Sequence, residues 1–106
     1  TLPFLKKKAS VSFEFVHSLG VGGTLTLESD GRVVLQERFT GEKFQGLIPM
    51  RATHSATVSL PVGKQELRFR AATDKGKSYA PIVLETEVSE GETRTLRATK
   101  SALEWK

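Results

Sequence analysis

The chain contains no cysteine, which excludes a disulfide framework, a thiolate metal centre and a cysteine nucleophile and leaves the redox compartment open. No apolar run approaches the roughly 18 residues a spanning helix needs, so no membrane-spanning segment is expected. Histidine is scarce. His17 and His54 are the only two, and neither is set in a metal-ligand motif, so each reads as a strand-end or loop residue. No serine stands in a Gly-x-Ser-x-Gly elbow, and Glu85 and Glu87, two apart on one strand face, read as solvated surface. Signals for acid, base and nucleophile do not converge, so neither catalysis nor a cofactor or metal is expected. Apolar periodicity of helical type is also missing.

What is present is alternation. With 106 residues, 38% apolar and 26% charged, the chain has the size of one domain with one core. Val58–Arg70 reads V-S-L-P-V-G-K-Q-E-L-R-F-R. Val58 and Leu60 share one strand face, as do Leu67 and Phe69. Pro61 has no amide hydrogen for a ladder and Gly63 can take positive φ, so the break between the runs is a hairpin or a sheet-to-sheet crossing.

In chain order, Thr1–Lys8 ends in three lysines and reads as a linker or tether. The chain opens on Thr1 rather than methionine, which suggests a fragment or processed product with any signal or anchor upstream. Ala9–Val16 alternates Val11, Phe13 and Phe15 with polar residues, as a half-buried strand does. The glycines of His17–Gly23 could cradle a phosphate only if a helix followed. Thr24–Ser29 alternates as a strand instead, so a glycine turn is favoured. Asp30-Gly31 then signals a hairpin. A two-residue turn pairs Ser29 with Arg32 and Leu27 with Val34, a register awkward for Val33 and Leu35 that a bulge or longer loop would relieve. Arg32–Phe39 makes the next strand, with Val33, Leu35 and Phe39 on one face.

Thr40–Thr53 is the longest expected loop and a natural place for binding. Strands over Ala56–Leu60 and Lys64–Ala72 follow, then a polar turn at Thr73–Ser78. Tyr79–Val88 puts Ile82, Leu84, Thr86 and Val88 on one face, with Pro81 suiting an edge. Ser89–Glu92 is a turn, Thr93–Thr99 a last strand, and the tail after residue 100 a helical turn or linker. The expected division is therefore residues 1–8 linker, 9–100 domain and 101–106 tail. About seven strands separated by turns argue a small antiparallel β-sandwich, with a small β-barrel as the alternative.

Leu60-Pro61-Val62-Gly63-Lys64, the Leu67/Phe69 strand, Tyr79, and Val88-Ser89-Glu90-Gly91-Glu92-Thr93 together resemble the second half of bacterial PEGA-type and related Ig-like or transthyretin-like modules. The Gly23–Phe39 hairpin would match their first half. The resemblance implies a non-catalytic accessory module in a larger bacterial envelope or signalling protein, acting in protein-protein interaction or as a structural spacer, and it carries over no functional residues. The partner would be another protein or a neighbouring domain of the parent chain.

Sixteen basic against twelve acidic residues give a net charge of +4, which admits weak carbohydrate or polyanion binding as the alternative. The candidate ligand or partner surface comprises Arg68, Arg70 and Arg97 with the rings of Phe44, Tyr79 and Trp105. The competing expectation is that Glu37, Glu66, Glu85 and Glu87 lie opposite the arginines in cross-strand pairs, and that Trp105 covers the open end of the sandwich.

Overall fold

A computed structural model describes residues 7–17, 21–40 and 52–106. The strands are β1 (Lys8–His17), β2 (Gly23–Ser29), β3 (Arg32–Phe39), β4 (Ala52–Pro61), β5 (Gly63–Thr73), β6 (Ile82–Val88), β7 (Thr95–Ala98) and β8 (Leu103–Trp105). They form two four-stranded sheets, one in the order β4-β1-β7-β8 and the other β3-β2-β5-β6. All neighbours are antiparallel except β1 and β7, which run parallel. The architecture is an all-β sandwich. Among the described residues the two sheets keep separate edges, as in a sandwich and not in the alternative barrel.

The eighth strand is the first correction. The tail contains β8, which pairs Leu103 with Ala98 and Trp105 with Leu96. Three residues are too few to show a strand period, and pairing with β7 is what holds them extended.

Inward-facing residues follow the alternation. Val11, Phe13, Phe15, Val58, Leu60 and Leu96 from the first sheet meet Leu25, Leu27, Phe39, Leu67, Phe69 and Val88 from the second, all at most 2% exposed. Phe15 is the hub, with ring centroids 5.1 Å from Phe39, 5.2 Å from Phe69 and 5.0 Å from the buried His17. Aromatic pairs at such separations add attraction beyond their buried area. His17 therefore ends β1 as expected, but within the core. His54 lies inside β4.

Two glycine and register expectations resolve in the second sheet. Asp30-Gly31 is the hairpin turn, with φ of 49° and 84°. Ser29 pairs with Arg32 and Glu28 with Val33, but Leu27 pairs with Leu35. Val34 is the extra residue of a β-bulge, which restores Leu35 to the inner face and turns Val33 outward, 55% exposed. Val33 is thus not a core residue. Gly23 opens β2 instead of lying in a turn, and the position requires glycine because a Cβ there would collide with the carbonyl oxygen of Ala72 on β5.

The Pro61–Gly63 break is a crossing, since β4 and β5 lie in different sheets. Gln65, 6% exposed, secures it. Its Nε2 donates to the carbonyl oxygens of Pro61 at 2.6 Å and Gly63 at 3.2 Å, and its Oε1 accepts from Ser29 Oγ at 2.7 Å. The Val88–Thr93 turn is also a crossing, from β6 to β7. Strand β6 begins at Ile82, with Tyr79 and Pro81 ahead of it, and β7 covers only Thr95–Ala98. At the other end of the chain, Lys8 belongs to β1.

Candidate interaction faces

Among the described residues a polar pair joins the two sheets at each lateral edge of the sandwich. On the β3/β4 side, His54 Nε2 lies 2.7 Å from Glu37 Oε1. On the β6/β8 side, Trp105 Nε1 donates to Thr86 Oγ1 at 2.7 Å. Trp105 is half-buried against the core and carries the Arg94 guanidinium 4.2 Å above its ring. It covers an edge of the sandwich. Arg94 also grips Glu92 through Nε and Nη2, at 3.0 and 2.6 Å. That hydrogen bonding, joined by the Ser89 amide, holds the Glu92 carboxyl down at about 2 despite opposition from burial.

The outer face of the second sheet carries Arg68 and Arg70. The register lines up Val33, Glu28, Arg68 and Val83 in one row across β3, β2, β5 and β6. Val33 and Val83 are the large apolar side chains most exposed among the described residues, and they flank this row. Arg70 Nη2 reaches diagonally to Glu28 Oε1 at 2.6 Å, and Arg38 pairs with Asp74 at 2.6 Å at the far end. The opposite end is acidic. Glu66 stands directly across from Glu85, and Glu87 across from Lys64, around an open depression that Asp30 also lines.

Arg97 lies on the other side of the molecule, on the outer face of the first sheet. There its Nε donates to Glu14 Oε1 at 2.9 Å, and Lys106 Nζ approaches the same oxygen at 3.4 Å. The Arg97 hydrogen bond, with Lys106 assisting, lowers the Glu14 carboxyl below its ordinary value. The three candidate arginines therefore form no single stripe. Arg70 takes Glu28 and Arg97 takes Glu14, not the expected Glu37, Glu66, Glu85 or Glu87, because register, not outward facing alone, selects neighbours. Tyr79 is half-buried just before β6, with Lys77 Nζ 5.3 Å from its ring centroid. Phe44 and residues 41–51 of the expected binding loop lie outside the described residues; Ala52 and Thr53 belong to β4.

The rest of the first sheet's outer face went unread in the sequence. Ser10 pairs with Ser59, Ser12 with Thr57, and Ser12 also with Thr95. The result is a run of hydroxyls beside Glu14, with a shallow depression among Ser12, Glu14, Ser55, Thr57 and Thr95. The alternate serines of β1 and β4 were its visible signal, but only the pairing of strands far apart in sequence joins them. Among the described residues, no group of three or more His, Asp or Glu could hold a metal ion. No helix among them is long and apolar enough to cross a membrane. Comparison with family models, with curated proteins and with solved structures returns no match.

Proposed function

We propose that this domain is a non-catalytic accessory module of a larger bacterial protein, working through protein-protein contact or as a structural spacer. The observation that carries this reading is how its chemistry-bearing side chains are employed. Arg70, Arg94 and Arg97 are committed to Glu28, Glu92 and Glu14, and Trp105 is committed to Thr86. Among the described residues, two broad sheet faces are offered to solvent, a form suited to contact with another folded surface.

A second reading, weak glycan or polyanion binding, draws on Arg68. No ion pair engages it among the described residues, and exposed Val33 and Val83 flank its row. The test is binding of the purified domain to panels of glycans, peptidoglycan and nucleic acids at low and at physiological salt. The module reading expects no salt-sensitive binding. Binding that weakens steeply with salt and disappears in Arg68→Ala/Arg70→Ala would replace it with the second reading.

A further inference from the structure

Among the described residues four strands stand at sheet edges, and three of them are guarded against pairing with another chain. Strand β8 is three residues long. Strand β3 is bulged at Val34 and carries Arg32, Glu37 and Arg38. Strand β6 carries Glu85 and Glu87 and is preceded by Pro81. Shortness, bulges, charge and proline are the devices that keep sheet edges from accepting further strands.

Strand β4 differs. It runs ten residues from Ala52 to Pro61, and its register with β1 is unbroken over all ten pairs. Proline comes only at its last residue. The one ionisable side chain along it is His54, which is engaged by Glu37. Beyond His54, the strand presents Ser55, Thr57 and Ser59 on the outer face, all exposed, while Val58 and Leu60 are buried in the core. Among the described residues no strand pairs with its far side. Every second residue there directs its backbone N–H and C=O away from β1, in position to receive a partner strand.

We propose that β4 is a homodimerisation edge, pairing antiparallel with β4 of a second copy so that the two first sheets join through four strands from each. This rests on the interaction-module reading and names its partner. The choice of a second copy comes from charge and symmetry. Antiparallel self-pairing about a twofold axis sets a strand against its own sequence. On β6 that operation sets Glu85 or Glu87 against a glutamate of the other copy, and on β3 it can set Arg32 against Arg38, whereas on β4 it sets Ser55, Thr57 and Ser59 against one another. Ser/Thr cross-strand pairs hydrogen-bond and stabilise a sheet. The joined sheet also extends the run of hydroxyls of Ser10, Ser12 and Thr95 across both copies.

Sedimentation equilibrium over a wide concentration range, together with amide hydrogen exchange, tests the proposal. The wild-type domain is expected to dimerise weakly, with a Kd on the order of 0.1 mM, as befits a contact made mainly by one strand. Ser55→Lys/Thr57→Lys sets lysines near lysines in every face-aligned register that pairs most of the strand. The variant should raise Kd at least about tenfold while leaving circular dichroism and the thermal midpoint unchanged, because both positions are exposed. In the wild type, amides within residues 55–59 should gain protection as concentration rises, a measurement that needs no variant. A monomer up to roughly 1 mM, a dimer indifferent to the lysines, or protection independent of concentration would each overturn the dimer. The module reading stands or falls separately, on the salt-dependent ligand panel.

Discussion

Replacing Gln65 with leucine tests whether one buried amide holds the β4-to-β5 crossing in place. The side chain makes three hydrogen bonds, to Pro61, Gly63 and Ser29. Leucine has similar size and makes none. Each lost bond costs about 1 kcal/mol net, more where the abandoned partner cannot reach water. Pro61 and Gly63 are half-exposed, so water can recover part of the loss at their carbonyls. Ser29, at 3% exposure, has less access to water. Burying the leucine in place of the amide returns about 1 kcal/mol. The expected net loss is about 2 kcal/mol, or a fall of roughly 8–15 °C in Tm for a domain of this size. Ser29→Ala alone should cost about 1 kcal/mol. The double variant should cost about 1 kcal/mol less than the sum, because Ser29 is then no longer left without its partner. Urea denaturation of the four proteins, followed by circular dichroism, measures the cycle. A Gln65→Leu loss below about 0.5 kcal/mol would show that the amide is not what secures the crossing, and additivity within about 0.3 kcal/mol would show that Ser29 and Gln65 do not interact.

Gly23→Ala should destabilise by about 3 kcal/mol or more, because its Cβ must displace the backbone of β5 at Ala72; an unchanged denaturation midpoint would contradict the close approach of β2 to β5. Trp105→Phe and Thr86→Val should each cost about 1 kcal/mol and the pair no more than either alone, since both remove the same bond; fluorescence of Trp105 should also change in Thr86→Val. Glu92 has its folded pKa near 2, below the ordinary 4.5 of the unfolded chain. Its contribution to stability is therefore complete above about pH 4.5 and is lost as pH falls through about 2. A carboxylate titration by NMR should place its midpoint near 2, and Arg94→Ala should move that midpoint back up; a Glu92 midpoint near 4.5 in the wild type would refute the bidentate contact.

Local pattern alone determined a good deal about this protein. The period-two placement of Val11, Phe13 and Phe15, of Leu25 and Leu27, and of Leu67 and Phe69 announced strands and chose their buried faces, because side chains on a pleated strand have no other way to alternate. Asp30-Gly31 announced a turn for an equally local reason. Tertiary structure decided whatever depends on which strand lies beside which. It turned Val33 outward through a bulge that is a property of the β2–β3 pair, and it made a strand of Leu103–Trp105 through pairing with β7. It separated Arg97 from Arg68 and Arg70 by the thickness of the sandwich. It also gathered the serines and threonines of β1, β4 and β7 into one face and left β4 as the unguarded edge. Neighbours in a sheet come from segments tens of residues apart, and an alternating pattern specifies the face a side chain takes without specifying the strand it will meet.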